Sequence, residues 1–416
     1  MTSALPTVRL RFLLGRTSSA EKQSLAAKSP TVTFVPMEAI GERGELDVSG
    51  VRALEDVRTG YSVFKDGDVV VAKITPCFEN GKGAVIRNTL SGIGFGTTEL
   101  HVLTPGPELN SQFLYYITMS SEFRRRGAAR MTGAAGQQRV PEDFIVDFPV
   151  IAFPLSQQQA IVRFLDQELA RLDSLIAAKT RQIELISEKR KAVIATAVTR
   201  GIDVTAKMRD PGLLWLGKVP AHWKTERIRW LFRERDDRGE PELPLMEVSI
   251  ANGVSVREFT GEKIESTAAD FNTYKVARRN DIAFNKMRMW QGAVGVSPVD
   301  GLVSPDYVVA AARVQLLPDY FGFLFRTDAF SAECGRRSHG LTWDRLRIYW
   351  EEFREIKVPY PPIDEQRAIV DFITRETAKI DSVRAATERT IALLKERRSA
   401  LIAAAVNGWI HMRLAA

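Results

Sequence analysis

The sequence predicts an α+β protein: two mixed α/β units separated by two long helices that pair as an antiparallel coiled coil, with pseudo-two-fold organisation. Three observations carry this. First, one block is written twice. Pro154-Leu-Ser-Gln-Gln-Gln-Ala-Ile-Val-Arg-Phe164 returns as Pro362-Ile-Asp-Glu-Gln-Arg-Ala-Ile-Val-Asp-Phe372, displaced by 208 in a chain of 416 residues. The register then holds without a gap: Asp173-Ser174 falls on Asp381-Ser382, Glu188-Lys-Arg190 on Glu396-Arg-Arg398, and Ala192-Val-Ile-Ala195 on Ala400-Leu-Ile-Ala403. Second, residues 156–200 contain neither Gly nor Pro, so the block opens a long helix closed by Gly201. Third, the stretches outside the repeat alternate short strand-like runs with one amphipathic helix. A period this long is not a solenoid, whose units run to about 20–50 residues. It marks two large units, each ending in the same helix.

Four segments follow in order. The first unit, 1–153, has strand-like runs at 68–73, 83–87 and 99–103, an amphipathic helix over 111–126, and a strand-like run at 148–153 that Pro154 ends. The central helical spacer, 154–204, places apolar side chains on a seven-residue repeat. One set is Leu165, Leu172, Lys179, Ile186 and Val193; the other is Leu169, Ile176, Ile183, Arg190 and Ala197. Alternating three- and four-residue steps put both sets on one seam. The second unit, 205–360, has strand-like runs at 245–250, 281–284 and 307–314 and an amphipathic helix over 320–334. The C-terminal spacer, 361–416, repeats the seam with Ile373, Ile380, Thr387, Leu394 and Leu401 beside Thr377, Arg384, Ile391, Arg398 and Ala405. A helix of about 45 residues is roughly 65 Å long. A seam of that length needs cover, and the other copy is the matching partner. The globular units echo one another more loosely: Gly67-Asp68-Val-Val-Val-Ala-Lys73 resembles Asn280-Asp281-Ile-Ala-Phe-Asn-Lys286. Tight helices and loose units suggest that the helices share one job while the units face different targets.

Composition sets the broad class. Hydrophobic content of 45% and charged content of 26% are those of an ordinary globular protein. A net charge of +7 is a mild bias toward polyanions. Cys77 and Cys334 lie in different halves with no metal-ligand spacing, so a reducing compartment is expected and a structural zinc is not. No signal-peptide pattern and no apolar run of membrane-spanning length is visible, which gives a cytoplasmic expectation.

Catalytic motifs are not visible. Gly212-Leu-Leu-Trp-Leu-Gly217-Lys218-Val219 has phosphate-loop spacing, but Val219 replaces the hydroxyl residue and Pro220 follows where a helix should open. Gly92-Ile-Gly94-Phe-Gly96 precedes no helix and reads as a turn before a strand. Tyr360-Pro-Pro-Ile363 lacks the polar and aromatic residues of a DNA amino-methyltransferase motif. Glu355-Ile-Lys357 has a nuclease-like form but poorly spaced upstream Pro-Asp pairs. His101, His222, His339 and His411 pair with no nucleophile or ligand set.

The conjunction of three features resembles the specificity subunit of type I DNA restriction-modification systems. They are the repeated block Pro154-Leu-Ser-Gln-Gln-Gln-Ala-Ile and Pro362-Ile-Asp-Glu-Gln-Arg-Ala-Ile, similar to the family's proline, acidic residue, glutamine and apolar helix; the helix exit Ala197-Val-Thr-Arg-Gly201-Ile-Asp203 with its copy Ala405-Val-Asn-Gly408-Trp-Ile; and Trp215-Leu-Gly-Lys-Val-Pro-Ala-His-Trp223. The last is similar to the family's opening of a target-recognition domain. Two departures stand out. The first unit lacks the Trp-Leu-Gly opening, and Ser156-Gln157 replaces an acidic pair. The resemblance implies a non-catalytic reader of double-stranded DNA, each unit being a target-recognition domain for one half of a gapped, asymmetric sequence. The helices are then the spacer, so changing their length shifts the gap while keeping the half-sites. They would dock two copies of a methylation subunit, and for cleavage a translocase-nuclease subunit would join. No cofactor is expected in this chain; S-adenosylmethionine, ATP and magnesium would belong to the partners.

Arg pairs with guanine, Gln with adenine, and Lys or Arg with phosphates. The candidate DNA contacts are therefore Lys73, the run Arg124-Arg125-Arg126, Arg130, Gln137, Gln138 and Arg139 in the first unit. In the second they are Arg278, Arg279, Lys286, Arg288, Arg336, Arg337 and Arg345. The loop of Gln137-Gln138-Arg139 lines up approximately with Asp344-Arg345-Leu-Arg347. A coiled-coil scaffold whose globular units bind protein fits the same composition; salt-sensitive binding to one gapped duplex separates the two readings.

Overall fold

The computed structural model describes residues 6–15, 19–27, 29–134, 136–257, 271–340 and 346–410. The chain forms two compact units. One comprises Met1–Thr180 with Arg389–Ala416, the other Arg181–Glu388. Each therefore contains a globular stretch and a segment of both long helices, which run over Leu155–Arg200 and Ile363–Val406.

In the first unit, antiparallel Val69–Ala72 lies between Gly83–Val85 and Leu100–Leu103. A second sheet orders Val51–Ala53, Thr31–Val35, Ile93–Gly96 and Ser62–Lys65, with a parallel pairing of Thr31–Val35 and Ile93–Gly96. Of the glycine cluster expected to be a turn before a strand, Gly92 (φ +74°) closes the turn Leu90–Gly92, while Gly94 and Gly96 lie in the strand itself. Gly94 and Gly96 make room for the Phe64 ring, which would lie 2.4 Å from a Cβ at Gly94 and 3.0 Å from one at Gly96.

The helix expected over 111–126 is two helices, Ser111–Met119 and Ser121–Ala128. Ser120 between them is extended (φ −62°, ψ 141°), and its side chain caps the second helix by accepting from the Phe123 N–H. A helix-interior serine has traded the ladder for a cap. The second unit breaks its helix at the matching place. Pro318–Phe325 and Asp328–Arg337 meet at extended Thr327, whose side chain accepts from the Phe330 N–H.

The repeated glutamine of the block is a buried staple. Gln158 donates to the carbonyls of Phe153 and Glu108 at 2.8 Å and accepts from the Asn110 N–H at 2.8 Å. Gln366 donates to the Pro361 carbonyl at 2.9 Å and accepts from the Leu317 N–H at 2.8 Å. In each unit one amide thereby ties the start of a long helix to the lead-in of the helix pair. The burial of both glutamines requires that these bonds be made.

The seams behave as predicted within each unit. In the first, Leu165, Leu169 and Leu172 share a core with Ile402, Ala405 and Val406. Arg398 donates to Asp173 at 3.2 Å, while Gly408 packs near Phe153, so the helix segments run antiparallel. In the second, Ala197 and Val198 share a core with Ile369 and Ile373, and Arg190 donates to Asp381 at 3.1 Å. Arg384 departs from the expected seam and is exposed, paired along its own helix with Glu388 at 2.9 Å. Both helices end on a left-handed glycine, Gly201 (φ +74°) and Gly408 (φ +71°).

The second unit's four-stranded sheet is wholly antiparallel in the order Phe232–Arg235, Tyr307–Ala312, Ile282–Asn285 and Val294–Val296. Here the Trp-Leu-Gly opening finds its use. Trp223 is buried and donates its indole N–H to Glu365 at 2.7 Å, while His222 meets the other carboxylate oxygen at 2.6 Å. Glu365 is the repeat mate of Gln157. The two departures seen in the first unit, a missing tryptophan and a missing acid, are thus two sides of one contact.

Candidate nucleic-acid interface

Each unit builds the same frame around a strand that starts on a buried aspartate and ends on a lysine. Asp68 accepts from the Lys65 N–H at 2.9 Å and from Lys22 Nζ at 2.7 Å. Asp281 accepts from the Arg278 N–H at 2.9 Å and from Arg235 Nε at 2.7 Å. Five residues later the carbonyl of Lys73 accepts from the Val140 N–H at 2.8 Å, and that of Lys286 from the Ile348 N–H at 3.1 Å. The residue before each donor closes a loop. Thr132 and Arg139 exchange backbone hydrogen bonds at 3.0 and 2.9 Å, and His339 and Arg347 do so at 2.8 Å each. A backbone closure thus sits beside each lysine, at the end of an inner strand of the sheet.

The first loop brings together Lys73, Gln137, Gln138 and Arg139. The two glutamine side chains are exposed. Arg139 grips Glu99 through Nε (2.9 Å) and Nη2 (2.8 Å), which holds the Glu99 carboxyl below its ordinary range. His101, on the adjoining strand, hydrogen-bonds the Val140 carbonyl through Nε2 at 2.8 Å; its burial lowers its pKa. Lys286 in the second unit lies 5.8 Å over the ring of Tyr349, beside exposed Arg288 and Arg347.

The other sequence-chosen residues fare differently. Arg124 is withdrawn from solvent: it donates to the Phe78 and Gly81 carbonyls and stacks 4.7 Å over the Phe78 ring. Burial pushes its pKa down to about 10, and its place is that of a core strut rather than a surface cation. Its neighbours on the helix differ: Arg125 is exposed, while Arg126 pairs with Glu122 at 3.3 Å. Arg130 is exposed, 3.6 Å from Asp143. Arg278 is committed to Glu240 and Asp300, whereas the Arg279 side chain is exposed. Arg336 and Arg337 both clasp Glu333, at 2.8 and 2.6 Å. Arg345 lies outside the described residues.

Arg347 was missed as a candidate although the repeat points to it, since it stands 208 residues after Arg139. Glu99 and Tyr349 were missed as well, and no sequence pattern marks them. Among the described residues no group of His, Cys, Asp and Glu side chains is arranged to hold a metal ion, and no helix is long and apolar enough to cross a membrane.

No protein-family model matches the chain. Among curated proteins it is 36% identical over 168 residues to the type I restriction enzyme EcoEI specificity subunit of Escherichia coli. It is 39% identical over 147 residues to the EcoAI specificity subunit of the same organism. These matches cover 40% and 35% of this chain but only 28% and 25% of the relatives' own length. A longer alignment, 74% of this chain and 67% of the relative at 21% identity, links it to the EcoKI specificity subunit of E. coli K12. Among solved structures, a chain of the type I R-M system superposes with a TM-score of 0.74 at 17% identity, covering 98% of this chain and all of the other. The HsdS subunit from Thermoanaerobacter tengcongensis gives a TM-score of 0.59 at 17% identity, covering 98% of this chain and 97% of its own. These structural likenesses concern the fold.

Proposed function

We propose, from the premise that this chain belongs to the specificity subunits of type I restriction-modification systems, that it reads a bipartite DNA sequence without itself doing chemistry on DNA. The observation that carries this is the frame built twice. Each unit closes a polar loop against a strand-end lysine, and the two loops carry different side chains. Exposed amides and cations on such loops suit base edges and phosphates. Their difference suits a target whose halves differ.

The long helices serve as spacer and docking platform for two copies of a methylation subunit, and a restriction subunit joins for cleavage. Support comes from the exposed apolar residues inside the helices. Leu175 and Leu185 are 43% and 50% exposed, and their repeat mates Val383 and Leu393 are 50% and 64% exposed. Apolar side chains left in water at the same positions of both copies suit one partner bound twice. S-adenosylmethionine, ATP and magnesium belong to those partner subunits.

The test is selection of bound duplexes from a random pool by the full chain with its co-purifying subunits. One gapped sequence should be enriched, and its binding should weaken steeply with salt. Enrichment of no sequence would favour a protein-binding scaffold instead.

A further inference from the structure

The two loops are closed alike and armed differently. In the first unit, Arg139 spends Nε and Nη2 on Glu99 and turns Nη1 toward the Gln137 carbonyl at 3.3 Å. A guanidinium held in such a fork must give up both bonds before it can offer the same fork to a base. The side-chain amides of Gln137 and Gln138, in contrast, are exposed and make no hydrogen bond among the described residues.

The second unit reverses this. Leu100 pairs with Ala72 as Tyr307 pairs with Asn285, so Asp306 stands where Glu99 stands in the first unit. Aspartate is one methylene shorter than glutamate. Among the described residues Asp306 forms no ion pair with Arg347, and the exposed Arg347 side chain meets only the Met287 sulphur, at 4.0 Å. Among the described residues its fork meets no carboxylate.

We propose that the first unit reads adenine through Gln137 and Gln138, that the second reads guanine through Arg347, and that the Glu99–Arg139 pair is a positioning device that presents the glutamines. This rests on the DNA-reading function above. A side-chain amide matches the N6 and N7 groups of adenine, and a free guanidinium matches O6 and N7 of guanine. One half-site should therefore carry a discriminated adenine and the other a discriminated guanine.

The test repeats the duplex selection with R347A, R347K, the double variant Q137A/Q138A, and E99Q, each in the full chain with its subunits. R347A and R347K should both relax one guanine position by roughly tenfold or more, in one half-site only, because lysine keeps the charge and loses the fork. Q137A/Q138A should relax an adenine position in the other half by a similar factor. E99Q should free Arg139 and add a guanine preference to that same half. Wild-type guanine selectivity in R347K, or relaxation of both halves by either variant, would overturn the assignment. A wild-type pool with no enriched sequence would instead overturn the DNA-reading premise, and the assignment with it.

Discussion

Arg398 donates to Asp173 at 3.2 Å, and the same two repeat positions meet again with the helices exchanged, where Arg190 donates to Asp381 at 3.1 Å. Asp173 and Asp381 are repeat mates, as are Arg190 and Arg398. One cross-helix contact is therefore built twice, once in each unit, and it fixes the pairing register. Its worth is modest, since such pairs are partly screened by water. Arg398 is only 15% exposed, which places this copy toward the upper end of about 0.5–1 kcal/mol. R398E should lower stability by about that much or slightly more, and D173R/R398E should recover part of the loss. Urea unfolding of the single and double variants checks this; strictly additive losses would remove the pair from the account.

The glutamine staples carry a larger expected effect. Q158A and Q366A each leave buried backbone groups without a partner, a cost of about 1–3 kcal/mol. The two variants should lose similar stability, because the two amides do the same work. A calorimetric scan in which either substitution left unfolding unchanged would show that the staple is ornamental.

Glu365 should matter only where a tryptophan faces it. E365Q weakens two charge-assisted hydrogen bonds, from His222 and from the Trp223 indole, and should cost about 1–2 kcal/mol. Q157E in the first unit, where no indole hydrogen-bonds to Gln157 among the described residues, should give no gain. A stability gain from Q157E would contradict the pairing of the two sequence departures.

Acid should loosen the first loop's support. Burial lowers the pKa of His101, so the unfolded chain takes up a proton more readily than the folded one. This contribution to stability is complete above the ordinary histidine value of about 6.5 and is lost as pH falls through the lower folded value. Thermal unfolding at pH 7.5 and 5.5 should show a drop in the wild type that is smaller in H101Q. Equal drops would exclude His101 as a source of the acid sensitivity.

Much of the architecture was legible because it depends on local pattern. The offset of 208 located both helices and their seams, and a looser echo at an offset of 213 located the strand that runs from aspartate to lysine. The break at Ser120 and Thr327 was not legible, since a cap replaces a helical turn only when the neighbouring core rewards the bend. Arg124 looked like any cation in a basic run, and only the carbonyls of Phe78 and Gly81 made it a strut. The difference between Arg139 and Arg347 rests on Glu99, a residue from a separate strand forty positions away. Interior amides and ion pairs are decided by tertiary neighbours, so the repeat could show where the loops stand but not which side chains they leave free.

The role proposed for this chain is to set the DNA sequence on which partner subunits act. Mapping methylated adenines in the host genome, with the gene intact and with it deleted, tests it most directly. Deletion should abolish one gapped, asymmetric methylation motif and leave all others untouched. An active partner methyltransferase that kept the same motif after deletion would contradict it.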